Sequence, residues 1–248
     1  MAGAVAAGTE SLAAPHDLDG LKQHASACTR CVLAETRTQV VFGAGSPTAR
    51  LLFVGEAPGF HEDAQGVPLS GAAGELLEKL LADIGLRRED VYIASVVKCR
   101  PPATREPLPD EIEACQPWLV QQIEQIRPLV IATLGNVATR LLTGSPDAIT
   151  RSHGVVRDIT VGSVPVKLVP LYHPAAALYT QALLAVLEED FHALAALLAR
   201  EAGEPEPPPR VQAAVGAPVL LELPLAAAPP VAGGAPAGAA DEDQLGLF

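Results

Sequence analysis

Positive charge is in short supply. The 248-residue chain carries 17 Lys and Arg against 29 Asp and Glu, a net charge of −12. That balance excludes a nucleic-acid surface built on overall basicity, so any DNA contact must rest on local groups such as Lys98, Arg100 and Arg105, or Arg151 and Arg157. Long apolar runs are also missing. No stretch of about 18 apolar residues occurs, and proline breaks the alanine-rich end, which argues against a membrane span. Met1 to Pro15 lacks a basic segment followed by an apolar one, so no secretory signal is evident and a soluble, cytoplasmic protein is expected. Cysteine is limited to four residues. In a reducing compartment they do not suggest a disulfide framework.

The acidity is unevenly spread. From Glu201 onward seven acids stand against Arg210 alone, so half of the excess lies in the last part of the chain. Residues 201–243 are dominated by Ala, Pro, Gly and Glu without helical or strand periodicity, the composition of a disordered linker. One globular domain over 21–200 is expected, after a flexible stretch 1–20 and before a short terminal peptide, 244–248.

The cysteines are Cys28, Cys31, Cys99 and Cys115. The first two form a C-x2-C pair whose spacing lets two thiolates face one metal centre. A tetrathiolate site follows, holding either structural zinc or a four-iron cluster; the spacing does not choose between them. Either would tie the N-terminal segment to the middle of the domain.

The chain is organised around Gly55 to Gly74, GEAPGFHEDAQGVPLSGAAG. An apolar run, Ala49 to Val54, precedes it as a buried parallel strand, and Glu75 to Ile84 follows with leucines at helical spacing. Ligands of an open α/β sheet bind beyond the carboxyl ends of strands, where glycines let backbone approach closely. Glu56, Glu62 and Asp63 in this turn argue against a simple phosphate cradle. Further strands are predicted at Val91 to Val97, Leu129 to Leu134 and Val166 to Leu171. Helices are predicted at Asp110 to Ile126, with Asp110 as cap and a bend near Pro117, and at Val137 to Leu142 and Gln181 to Arg200. A hairpin-like pair is expected around Gly162 and Ser163. The pattern calls for a three-layer α/β/α fold on a central, mainly parallel four-stranded sheet. Glu56, Ser95, Gly135 and His173 all fall at strand ends, so one crevice can collect them.

GEAPGFHED with the following GxP and GAAG, KCRPP with Arg105, the cysteine spacing and HPAAALY together resemble the iron–sulfur type, family 4, of uracil-DNA glycosylase. The resemblance runs from about Cys28 to Arg200. It implies a uracil-glycosylase fold, a [4Fe-4S] cluster on Cys28, Cys31, Cys99 and Cys115, and excision of uracil from DNA at the start of base excision repair. Carried onto this chain, Glu56 and Ala57 line the base pocket, Glu62 sits beside the sugar, and His173 faces the uracil O2 side. Glu62 and His173 are then the catalytic pair.

The chain departs from the family pattern at three points. Leu69 stands where a phenylalanine stacks on uracil, Ser95 where an asparagine reads its edge, and Thr104 where an asparagine precedes Arg105. Arg105, Arg151 and His153 are the candidate DNA contacts. The ending Gln244, Leu245, Gly246, Leu247, Phe248 resembles the peptide by which bacterial repair proteins bind the sliding clamp, with Gln244 supplying amide hydrogen bonds and Leu245, Leu247 and Phe248 filling an apolar pocket. A monomer acting on the bacterial nucleoid is the expected form. The alternative from another class is a damaged-DNA binding module of low turnover, using the same pocket and cluster. A cysteine-based electron carrier would leave the glycine turn and His173 unexplained.

Overall fold

A computed structural model describes residues 17–205 and the backbone of Ala4–Val5. The terminal peptide 244–248 and nearly all of the 201–243 segment lie outside the described residues.

The centre is a sheet whose strands are buried on both faces. Along β3 (Leu51–Gly55) every residue is buried. Its side chains alternate between two cores: Leu52 and Val54 join one, Leu51 and Phe53 the other. Period-two alternation with both faces covered is why this segment reads as a continuous apolar run. The same holds for β4 (Tyr92–Ser95), β5 (Val130–Leu134) and the inner half of β7 (Val164–Leu171). These four strands are mutually parallel in the order β4-β3-β5-β7. They are the four predicted from the sequence.

The sheet is wider than that. An antiparallel strand β6 (Arg157–Val161) pairs with β7 through the Gly162–Ser163 turn, the expected hairpin. The two-residue β2 (Ala44–Gly45) adds antiparallel to β4, giving six strands, and Ala4–Val5 (β1) extends the β6 edge. Four strands was therefore an undercount. Pairs two residues long bury too little side chain to leave a periodic signal, because their pairing is backbone hydrogen bonding.

Helices cover both faces. On one side lie α1 (Leu18–Ser26), α4 (Pro109–Ile126) and α5 (Asn136–Thr143), contributing Leu21, Leu119, Ile123 and Leu142 to the core. On the other lie α3 (Ala72–Asp83) and α8 (Gln181–Ala202), contributing Leu77, Leu81, Phe191 and Leu194. The three-layer architecture is that of the sequence reading, with differences at helix starts. Helix α1 begins at Leu18, capped by Asp17, inside the stretch expected to be flexible. The N-cap of α4 is Leu108, not Asp110: Pro109 takes the first turn, and Glu111 reaches back to the Leu108 amide at 2.8 Å. The helix then continues through Pro117 to Ile126.

A candidate base-binding cleft and a four-cysteine cavity

The parallel strands point their carboxyl ends at one edge of the sheet, and a cleft of about 260 Å3 opens there. Glu56, Ala57, Glu62, Leu69, Ser95 and His173 all line it. Six residues scattered over more than a hundred positions meet because three strands end together. Ser95 is opposite Gly55 in the β3–β4 register, and Val97 extends the pairing by donating to the Glu56 carbonyl at 3.2 Å. Strand β7 delivers His173 two residues past Leu171.

His173 caps the short helix α7 (Pro174–Ala177): its Nδ1 accepts from the Ala175 amide at 3.1 Å. An acceptor at Nδ1 places the proton of the neutral ring on Nε2. Desolvation pushes the imidazole pKa down to about 4. The ring is therefore a neutral donor at physiological pH. Beneath it Gly135 has φ +87°, and a Cβ there would stand 3.7 Å from the His173 Cβ. A side chain at this position would be strained by the left-handed backbone while meeting the histidine only at ordinary contact distance.

Glu62 starts the short helix α2 (Phe60–Gln65) as the third residue of a capping turn, its Oε2 accepting from the Gly59 amide. That bond fixes one oxygen, and Oε1 has no partner among the described residues. The next residue, Asp63, faces away from the cleft. It is 1% exposed and accepts from the Thr38 amide, the Thr38 hydroxyl and Arg100 Nε. Burial would raise its pKa, but those hydrogen bonds outweigh it and hold the carboxyl below the usual range. Adjacent acids thus have separate tasks, one lining the cleft and one pinning the turn to the segment around Thr38. Glu56 is pushed up by burial and by Glu106, with Arg140 pulling it partly back.

Leu69 occupies the left-handed region, φ +48°, which is costly for a branched side chain. Arg88 holds it there, donating to the carbonyls of Leu69, at 3.0 Å, and of Pro68. Ser95 is 7% exposed, and its hydroxyl makes no hydrogen bond among the described residues. Its carbonyl accepts from Lys98 Nζ at 2.7 Å.

The expected DNA contacts separate from one another. Arg105 is committed to Glu111, which is fully buried, through both terminal nitrogens at 2.6 and 2.8 Å. It anchors the start of α4. Arg151 is exposed on the single-turn helix α6 (Ile149–Ser152). His153 lies outside the cleft lining: its Nδ1 is 2.9 Å from Asp190 Oδ2 and its ring is 4.9 Å from that of Tyr172.

The four cysteines line a second, tightly packed pocket with Arg37, Lys98 and Trp118. Burial pushes the Cys115 thiol up to about 12 and raises Cys99 and Cys31. Donors nonetheless aim at the sulfurs: the Lys98 amide reaches Cys115 Sγ at 3.2 Å, and Arg37 reaches Cys99 Sγ at 3.3 Å. Trp118 Nε1 is buried on the same wall with no acceptor. Thiols costly to ionise, N–H groups directed at them and an orphaned donor suit a thiolate-ligated centre that brings its own charge and acceptors. Among the described residues, no three His, Cys, Asp or Glu are arranged to hold a metal ion. All four cysteines nonetheless line one cavity, and four thiolates suit either a structural zinc or a four-iron cluster.

Lys98, expected as a local group for DNA contact, is 1% exposed and spent on Ser95 and Gln122, so it cannot reach DNA. Sequence reasoning missed Arg88, Asp190 and the task of Asp63. Asp63 was visible as the acid beside Glu62; Arg88 and Asp190 meet partners 19 and 37 positions away, and no spacing announces them.

Comparison with known proteins agrees with this geometry. Residues 42–195 match the model of the uracil DNA glycosylase superfamily. A type-4 uracil-DNA glycosylase of Archaeoglobus fulgidus is 44% identical over 188 residues, covering 74% of this chain and 94% of that protein. The type-4 enzyme of Saccharolobus solfataricus is 44% identical over 71% of this chain and 83% of its own length. That of Thermotoga maritima is 47% identical over 149 residues, 60% of this chain and 76% of its own.

Proposed function

This chain belongs to the uracil DNA glycosylase superfamily and to its type-4 group, and from that premise we infer that it hydrolyses the N-glycosidic bond of uracil in DNA, initiating repair. One observation carries the residue-level reading. A neutral histidine, a carboxylate with one free oxygen and an unpaired hydroxyl line the same strand-end cleft.

The target nucleotide is flipped out of the helix, since its glycosidic bond is out of reach inside a duplex. Leu69 covers one face of the extruded base, and Ser95 offers a donor and acceptor to its edge. Bond breaking moves the electron pair of the C1′–N1 bond onto uracil and leaves a cationic sugar. The His173 Nε2–H donates to the developing anion at O2, a preorganised dipole of the oxyanion-hole kind. Glu62, held at Oε2 by Gly59, uses Oε1 to orient water toward C1′ and stabilises the cationic sugar. The new C1′–O bond yields an abasic site; the proton released by water neutralises the uracil anion.

Cys28, Cys31, Cys99 and Cys115 would hold the [4Fe-4S] cluster; when bound, it supplies a covalent cross-link between the N-terminal segment, the end of β4 and helix α4. Phosphate contact falls to exposed Arg151, with Arg105 and His153 supporting the loops beside it. The peptide Gln244–Phe248, tethered by residues 201–243, is the proposed attachment to a bacterial sliding clamp. Tethering raises the local concentration of DNA without new catalytic contacts. The enzyme is read as a cytoplasmic monomer, and no helix among the described residues is long and apolar enough to cross a membrane.

The test is alkali cleavage of uracil-containing single- and double-stranded oligonucleotides after incubation with the protein. Strand breaks at uracil are expected. Tight binding to uracil DNA without breaks would replace the enzyme with a binding module, a reading the relatives do not support. Broad absorption near about 400 nm in the purified protein is the expected mark of the cluster, and deletion of Gln244–Phe248 should abolish clamp binding.

A further inference from the structure

The chain has five phenylalanines. Phe42, Phe53 and Phe191 are buried in the two cores, and Phe248 lies outside the described residues. Phe60 is 65% exposed. It stands between Gly59 and Glu62, both of which line the base cleft, so its backbone borders that cleft while its ring packs outside the lining against Arg100. It is not a loose side chain. The Arg100 guanidinium carbon lies 5.6 Å from the ring centroid, and the His61 ring meets it edge-on at 5.6 Å and 81°. Arg100 is oriented in turn by Asp63, with Nε 3.3 Å from Oδ2, and Asp63 is fixed by Thr38. The two terminal nitrogens of Arg100 have no partner among the described residues. An exposed aromatic face beside a cation with free donors, just outside a site for an extruded base, matches a nucleotide: a base to stack and a phosphate to contact.

We propose that Phe60 and Arg100 form a subsite that stacks the base next to the extruded nucleotide in single-stranded or locally opened DNA, with the Arg100 terminal nitrogens on its phosphate. This rests on the glycosylase reading above and adds a substrate contact outside the base cleft. Stacking is indifferent to base identity because every base has a π-face, so the subsite favours DNA with unstacked neighbours without setting sequence preference. It also gives a locally cationic foothold in a chain of net charge −12.

The probe is a single-stranded oligonucleotide carrying a tetrahydrofuran abasic analogue with a fluorescent aminopurine on its 5′ or its 3′ side. Full-length protein should quench the fluorescence from one of the two sides. Phe60→Ala should abolish that quenching, weaken binding about tenfold and raise KM on uracil DNA more than it lowers kcat. Phe60→Trp should retain quenching, whereas Phe60→Leu, apolar but flat-faced no longer, should behave as Ala. The melting temperature of each variant checks the fold. If the parent excises uracil while Phe60→Ala quenches and binds as the parent does, the subsite is refuted and the glycosylase reading stands. If the parent excises nothing, that reading falls, and Phe60-dependent quenching alone would still establish the stacking site. Phe60-independent binding of DNA, with Phe60→Ala losing affinity for a protein instead, would assign the ring to a protein partner and overturn the proposal.

Discussion

The base cleft and the cysteine cavity are built on the same strand and use burial to opposite ends. In the cleft, of about 260 Å3, desolvation holds His173 neutral with its pKa near 4, so the protein environment alone makes the donor. In the cysteine pocket, desolvation raises Cys115 to about 12, so the environment alone makes the thiols poor ligands. One site is complete as folded. The other would need a centre that stabilises thiolates, as proposed for the [4Fe-4S] cluster. Lys98 joins them: its amide donates to Cys115 Sγ and its ammonium to the Ser95 carbonyl and to Gln122 Oε1 at 2.6 Å. Burial pushes this lysine down to about 8 against the pull of Cys115 and Cys99.

The contrast can be broken most severely at His173. His173→Ala is expected to slow single-turnover excision by about 10²–10³-fold, the scale of losing one preorganised donor, with duplex affinity unchanged in a gel-shift titration. Unchanged cleavage would remove the histidine from the mechanism. At the other site Cys115→Ala should act on the fold first: loss of the visible absorbance and a melting temperature lower by roughly 10 °C. A variant with full thermal stability would mean that the cavity is an ordinary part of the core.

Lys98→Met probes the joint between them. It strips donors from the Ser95 carbonyl and Gln122 Oε1, at a cost of about 1–3 kcal/mol in denaturant unfolding. Because Ser95 lines the cleft, KM for uracil DNA should rise as well. A stability loss with wild-type KM would show that the two sites are independent.

The smallest effect concerns pH. A histidine whose folded pKa lies below its unfolded value of about 6.5 binds its proton more readily when unfolded. Its neutral state therefore weakens stability progressively as pH falls from about 6.5 toward 4, and costs nothing above that window. Excision should likewise show no inflection at 6.5 due to His173. A limb at 6.5 that disappears in His173→Ala would contradict the neutral-donor assignment.

Much of this was legible in the residues. The strands β3, β4, β5 and β7 are apolar on both faces, and the glycine-rich turn and His173 fall directly after such runs, so the cleft was foreseeable from position along the chain. Leu69 and Ser95 were visible as departures, but not the left-handed backbone of Leu69 or the Arg88 clamp that maintains it. Arg105 looked like a DNA contact in a proline-rich loop; only its approach to buried Glu111 shows an anchor. Phe60 looked like any apolar residue of the glycine-rich turn, and only its exposure and its cation make it a surface feature.

The sequence by itself determined the layered architecture and the strands whose ends frame the cleft, because hydrophobic periodicity acts over a few residues at a time. Tertiary structure alone decided which charges are spent on one another and which stay free. Asp63 goes to Thr38 and Arg100, Arg105 to Glu111, and His153 to Asp190, while Glu62 keeps an open oxygen. Electrostatic pairing depends on distance in space and on burial, and neither is encoded in the separation of residues along a chain.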